Sequence, residues 1–329
     1  MAGMGKRMRP HTLTTAKPLI PIAGKPIVQR LVEDIMATSN EQVEEIAFII
    51  APHFGTVVEQ LLLSVAENLG AKGRICYQEE ALGTGHALLC AAESLKGNVF
   101  IAFADTLFKA NFQIDTQKDA IIWTQKVADP SAFGVVKMNA EGRITDFVEK
   151  PKEFVSDLAI IGVYYFKDGE NLRRELQYLV DHDVKEKGEF QLTTAMENMK
   201  NKGLAFYSDQ VEEWLDCGNK DATVFTNQRI LEFKQNTEQL EATSAQIQQS
   251  IIIPPCFIGE NVKISHSVIG PYVSLEAGAE ISHAIIENSI IQSDTTVKNA
   301  QISNSLLGKS VTYSSKADEL SLGDYSVSL

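Results

Sequence analysis

The sequence predicts an α/β domain followed by a β-helix, and three observations carry that expectation. From residue 1 to about 218, short runs rich in β-branched and aromatic residues alternate with stretches of helical periodicity. Across 237–250 the composition turns to Gln, Thr and Ser. Beyond that stretch, aliphatic residues recur every five or six positions, a period that neither an α-helix nor a hairpin has. A chain of 329 residues also exceeds one average domain, which fits a main domain with a smaller second unit.

In the first part, strands are expected at 45–50, 73–78, 98–103, 120–125, 134–138 and 159–166. The longest apolar runs, at 46–51 and 159–166, are the kind that a mostly parallel sheet covered on both faces buries. Helices are expected at 27–37, 54–69 and 85–95, where apolar residues fall at helical spacing, and a polar helical stretch at 222–239 leads into the connector. The repeat that follows places Ile258, Ile264, Ile269, Leu275, Ile281, Ile286, Ile291, Val297, Ile302 and Leu307 in a hexad pattern with small or polar residues between. Such a pattern buries one aliphatic per face of each coil. The expected organisation is therefore a main domain at 1–236, a linker at 237–250, a β-helix at 251–313 and a tail or cap at 314–329.

With 44% hydrophobic and 22% charged residues, the chain can bury an ordinary core. The 30 Lys and Arg against 43 Asp and Glu give a formal charge of -13, which argues against non-specific attraction to nucleic acid or anionic lipid. A phosphate-bearing ligand must then be met by a local cluster of cations. Cys76, Cys90, Cys217 and Cys256 are too widely spaced for a disulfide framework or a CxxC metal site, so reduced thiols and a cytoplasmic location are expected. No apolar run approaches the roughly 20 residues that a membrane helix needs, and no apolar h-region opens the chain.

Chemistry concentrates near the N-terminus. Gly3 and Gly5 let the backbone approach a phosphate and turn N–H groups toward it, while Arg7 and Arg9 add charge beside that nest. In Lys17-Pro18-Leu19-Ile20-Pro21 and Gly24-Lys25-Pro26, prolines after lysines keep those lysines out of a helix. The two segments together resemble the sugar-phosphate nucleotidylyltransferases, whose signature is GxGxRxxPxT followed by KPxxPxxGKP. Further segments resemble that family in the same order: Gln78 with Leu82-Gly83-Thr84-Gly85-His86-Ala87, Asp105, Phe133-Gly134-Val135-Val136, Val148-Glu149-Lys150-Pro151, Gly188-Glu189-Phe190 and Trp214-Leu215-Asp216-Cys217-Gly218. The resemblance spans nearly the whole chain. It implies a Rossmann-like nucleotidyltransferase domain with a mixed, mostly parallel sheet, and a C-terminal left-handed β-helix of hexapeptide repeats.

The resemblance also implies roles. Arg7 would hold the leaving β,γ-phosphates, Lys17 the α-phosphate and Lys150 the sugar phosphate. Asp105 and Asp216 would share one Mg2+, which helps offset the repulsion between a nucleoside triphosphate and a sugar 1-phosphate. Gly3, Gly5, Gln78, Gly83 and Thr84 would bind the nucleotide, the last two through the backbone. Gly134, Glu149, Gly162 and Glu189 would bind the sugar. His86 is read as a structural histidine on a helix face.

An amide such as Gln78 offers both a donor and an acceptor, which suits uracil or thymine and points to UTP or dTTP, while the resemblance implies glucose 1-phosphate as the favoured hexose 1-phosphate. The Trp214–Gly218 segment is similar to the thymidylyltransferase version of the motif. Phe147 to Lys152 is similar to mannose-1-phosphate guanylyltransferases, and Met4 stands where thymidylyltransferases often carry an extra glycine, so a guanylyltransferase remains open. So do a bifunctional enzyme with an acetyltransferase site, for which His266 and His283 are the candidate bases, and a non-catalytic regulatory or assembly homologue. A homo-oligomer is expected. The family carries a hydrophobic strand immediately before the Gly-rich loop, whereas only Met1 precedes Ala2; a natural reading frame that starts upstream, or a shortened chain, is the expectation.

Overall fold

The computed structural model describes residues 5–38, 42–110 and 114–316. The chain forms two compact units, Met1–Ile20 with Pro26–Gly218, and Pro21–Lys25 with Asn219–Leu329.

The first unit opens with α1 (Ile27–Thr38), β1 (Glu45–Ile50), α2 (Gly55–Asn68), β2 (Lys72–Tyr77) and α3 (Thr84–Leu89). β1 and β2 are joined by the crossover helix α2 and pair in parallel, from Glu45 opposite Lys72 to Ile50 opposite Tyr77. The expected helix 85–95 is shorter, because a 3-10 turn at Ala92–Ser94 replaces its end and Ser94 Oγ donates to Glu45 Oε1 at 2.6 Å. Next come β3 (Val99–Ala102), β4 (Thr106–Lys109), β5 (Ala120–Lys126), β6 (Gly134–Met138), β7 (Ile144–Glu149) and β8 (Leu158–Phe166). α4 (Gly169–Asp181), α5 (Leu192–Asn201), β9 (Phe206–Gln210) and β10 (Glu213–Asp216) complete the unit.

The sheet is mixed. A six-stranded sheet runs β9-β5-β8-β6-β7, with β3 also on β8. β9 lies parallel to β5, while β5, β6, β7 and β8 follow one another without crossover helices and pair antiparallel. Among the described residues, β1 pairs only with β2 and β3 only with β8, so the stretch expected as one continuous sheet is present as separate sheets. β4 pairs antiparallel with β10 in a small ribbon of its own.

β8 organises this unit. All nine of its residues are buried, and it packs Ile160, Tyr164 and Phe166 into a core with Ile122, Val136, Leu172, Met196 and Phe206. Each such side chain withdrawn from water contributes roughly 1.5–3 kcal/mol. Its N-terminal half contacts β6 and its C-terminal half contacts β3; between them the register against β5 shifts. Gly162, with φ 84°, makes that bulge, and a Cβ there would lie 3.1 Å from the Phe103 ring.

The second unit contains the hairpin residues Pro21–Lys25, α6 (Lys220–Lys234) and a β-solenoid. Asn219 caps α6, its Oδ1 accepting from the Ala222 N–H at 3.0 Å. Equivalent residues in successive coils lie 16 or 17 positions apart, which is close to three hexads. Parallel ladders stack Ile264 on Ile281 and Val297, Ile269 on Ile286 and Ile302, and Leu275 on Ile291 and Leu307. These are the aliphatics of the hexad pattern, and they fill the solenoid core. Coiling begins inside the stretch read as a connector, since Gln246–Gln248 pairs with Lys263–Ser265.

Corners of the coils are made by left-handed residues, among them Asn261 and Asp294, Asn288 and Asn304, and His266 and His283. The rings of the two histidines stack 4.8 Å apart. Gly24, with φ 84°, lies against Phe257, whose ring would be 2.3 Å from any Cβ. The Ala23 N–H donates to Asn227 Oδ1 at 2.9 Å, and the Gly24 N–H to Glu276 Oε1 at 3.3 Å. All four cysteines are free, and no helix among the described residues is long and apolar enough to cross a membrane.

Candidate active site

Four of the charged residues singled out in the sequence converge in the first unit. Asp105 stands directly before β4 and Asp216 ends β10; pairing of those strands sets Asp216 opposite Thr106. The Cys217 N–H donates to the Asp105 carbonyl at 3.1 Å, which closes the end of the ribbon. Lys17 is buried in a 3-10 turn that begins Lys17-Pro18, and its Nζ donates to Asp105 Oδ2 at 2.9 Å. Arg7 approaches from a short turn anchored by buried Met8. A Cβ on Gly218 would meet Asp216 Oδ2 at 2.7 Å and Arg7 Nη2 at 3.2 Å, so glycine at this position leaves room for both groups.

The electrostatics follow from that crowding. Burial holds the Asp216 carboxyl above the usual carboxylate range, and the Asp105 charge pushes the same way; the Gly218 N–H, Lys17 and Arg7 pull against them. Such a site is poised for a further cation or for substrate phosphates. Gly5 has φ 54° and its carbonyl accepts from the Met8 N–H and from Thr12 Oγ1, so Thr12 of the first motif folds the loop back on itself. Gly3, the other glycine expected at the phosphates, lies outside the described residues.

A second group forms between β2 and α3. Gln78 is buried, and its Nε2 lies 3.1 Å from the Gly83 carbonyl and 3.2 Å from His86 Nδ1. Both amide N–H groups are thus engaged by the protein, which differs from the two-sided amide read from the sequence. Gly83 has φ 114°, and a Cβ there would be 2.5 Å from the Phe190 carbonyl. The Gly85 N–H donates to that carbonyl at 2.7 Å, while the Phe190 N–H donates to the Leu82 carbonyl at 2.8 Å. Thr84 Oγ1 donates to Gln191 Oε1 at 3.1 Å and accepts from the Leu192 N–H at 3.0 Å, so its hydroxyl is spent on joining the two loops.

The third group lines the end of the β6–β7 hairpin. Gly134 pairs with Glu149, and a Cβ at Gly134 would sit 3.0 Å from Glu149 Oε2. Lys150 follows in the left-handed region with φ 46°, donates its N–H to the Phe133 carbonyl at 3.1 Å, and brings Nζ to 3.4 Å from Glu149 Oε1. Burial and the Glu149 charge push the Tyr164 phenol up. Glu189 Oε2 accepts from Gln191 Nε2 at 2.8 Å, and Gly162 lies against the Phe103 ring. The sequence reading missed Lys187, whose Nζ donates to the Glu149 carbonyl at 3.0 Å, as well as Tyr164 and Gln191. Their signal was present only as neighbours of motif residues: Lys187 directly precedes Gly188-Glu189-Phe190, and Gln191 follows it.

The nucleotidyl transferase family profile matches residues 1–232. The chain belongs to this family. Over 98% of its length it is 27% identical to a glucose-1-phosphate thymidylyltransferase of Streptomyces antibioticus, of which 96% is covered. It is 29% identical, again over 98% of its length and 94% of the relative, to the low-salt glycan biosynthesis nucleotidyltransferase Agl11 of Haloferax volcanii. A bifunctional protein GlmU of Methanococcus maripaludis is 32% identical over 70% of this chain and 53% of that protein. The fold and these likenesses identify an enzyme of the sugar-phosphate nucleotidyltransferase type with a C-terminal solenoid.

Whether such an enzyme could hold Mg2+ here turns on the donor set. Among the described residues no group of three or more His, Cys, Asp or Glu side chains gathers. Two hard oxygen ligands, Asp105 and Asp216, with their like charges in one crowded corner, fit an ion bound by one or two carboxylates and completed by substrate phosphates.

Proposed function

We propose that the chain catalyses formation of a nucleotide-sugar and pyrophosphate from a nucleoside triphosphate, dTTP or UTP, and a hexose 1-phosphate, glucose 1-phosphate. The convergence of Arg7, Lys17, Asp105 and Asp216 in one corner carries this reading. The names of the Streptomyces and Haloferax relatives support the reaction class. In a molecule of net charge -13, such a corner is what two anionic substrates require before they can approach each other.

An oxygen of the sugar phosphate attacks the α-phosphorus in line; the new P–O bond forms as the bond to the bridging oxygen of pyrophosphate breaks, and that oxygen keeps the electron pair. The sugar phosphate is sufficiently ionised at neutral pH, so no side chain has to accept a proton. Positioning and charge neutralisation carry the acceleration. Lys17, released from Asp105, neutralises the α-phosphate; Arg7 holds the departing β,γ-phosphates; Lys150 orients the nucleophile, with Lys187 beside it. Asp105 and Asp216 would hold Mg2+, which supplies charge neutralisation at the phosphate oxygens. Glu149 accepts from sugar hydroxyls, and the glycine at 134 lets the ring lie close to the strand.

The test is a matrix of dTTP, UTP, GTP, CTP and ATP against several hexose 1-phosphates, read as pyrophosphate release. Turnover is expected with dTTP or UTP and glucose 1-phosphate. No release from any pair would overturn the proposal, and a preference for GTP with mannose 1-phosphate would replace it with the guanylyltransferase.

A further inference from the structure

Gln78 offers less to a ligand than its side chain suggests. The Gly83 carbonyl can only accept, so the end of the amide 3.1 Å from it must be the NH2. That same nitrogen lies 3.2 Å from His86 Nδ1, which must then be the unprotonated nitrogen of the ring, with the proton on Nε2. Both N–H groups of the amide are consumed. Gln78 Oε1 accepts no hydrogen bond among the described residues, so an acceptor is all the side chain can present. Rotating the amide by half a turn would bring its oxygen against the Gly83 carbonyl and the Nδ1 lone pair at once.

We propose that His86 is a positioning residue that locks the Gln78 amide with its oxygen toward the base, so that the site admits bases carrying a ring N–H and rejects those with a bare ring nitrogen there. Uracil and thymine present N3–H to that oxygen, and guanine presents N1–H. Cytosine N3 and adenine N1 bring a lone pair against it instead, leaving a buried acceptor unpaired. The inference rests on the nucleotidyl-transfer reading for its base-binding step. It assigns to His86 a function separate from that of a helix-face structural residue.

The ratio of kcat/KM for dTTP or UTP to that for CTP tests the lock. His86→Ala is expected to reduce the ratio about tenfold, since one hydrogen bond to the amide is lost. His86→Asn, whose Oδ1 occupies the place of Nδ1, should retain it; His86→Gln, whose amide corresponds to Nε2, should not. An unchanged ratio in the alanine variant, or equal losses in the asparagine and glutamine variants, would overturn the proposal. The unmutated chain supplies an arm independent of variant folding and of turnover: long-range proton–nitrogen correlation should show His86 with Nδ1 bare and Nε2 protonated, and the opposite tautomer would overturn the lock. If no triphosphate is turned over, the proposed reaction fails by its own assay, while the tautomer still decides whether Gln78 is held.

Discussion

Asp105 and Asp216 occupy neighbouring strand ends, yet their surroundings differ. Asp105 is half-exposed and paired with Lys17, whereas Asp216 is held in a corner where burial and a second carboxylate raise its affinity for a proton. Asp105→Ala is expected to lower kcat at least about 100-fold, with an unchanged circular dichroism spectrum, because charge stabilisation at the phosphates is lost. For Asp216 the linkage has a definite sign. Its folded pKa lies above its unfolded value, so the folded state binds more protons, and stability falls as pH rises from the ordinary carboxylate range through the raised value. Asp216→Asn should remove that downward slope from the thermal midpoint plotted against pH, while abolishing turnover. A slope unchanged in the variant would show that Asp216 is not its source. Gly218→Ala acts on the same carboxylate by shape: its Cβ would need the space 2.7 Å from Asp216 Oδ2, so kcat should drop by at least about tenfold in a folded protein.

Among the elements, β8 sets the geometry that the others follow. Gly162→Ala would force a Cβ into the left-handed region and against Phe103, two residues ahead of Asp105. A cost of about 1–3 kcal/mol is expected, read as a lower urea midpoint with an unchanged m-value. Strong apolar runs made β5 and β8 legible in the sequence, because their burial leaves almost no polar face to blur the pattern, and β1 and β6 were legible from shorter aliphatic runs although part of each strand reaches the surface. β7 and β9 were harder to see: each is half-exposed, and β7 carries Thr145, Asp146 and Glu149 among its apolar residues. α4 could have been found from Asp168, which caps it, and from Leu172, Leu176 and Leu179 on one face. In the candidate site, the charged corner was readable because its residues sit in ordered motifs. The partners of Gln78 and Glu149 were not, since Gly83, His86, Tyr164 and Lys187 meet them only through the path of the folded chain.

For the molecule as a whole, a site built on only Asp105 and Asp216 predicts how the proposed Mg2+ would behave. Two carboxylates bind Mg2+ weakly until phosphates complete its shell. EDTA should therefore abolish pyrophosphate release while leaving the thermal midpoint of the nucleotide-free protein within about one degree, and excess Mg2+ should restore full activity. A large drop in the midpoint on chelation would instead indicate a structural ion. The division into units also bears on how the protein can be taken apart. Its boundary falls between Ile20 and Pro21, between Lys25 and Pro26, and between Gly218 and Asn219. A single cut at the last of these leaves behind the five residues that cover Phe257 and satisfy Asn227. The solenoid is consequently not a cassette: exchanging it between relatives by splicing at one joint would orphan a glycine turn encoded far upstream of that joint, and a working chimera must transplant both stretches together.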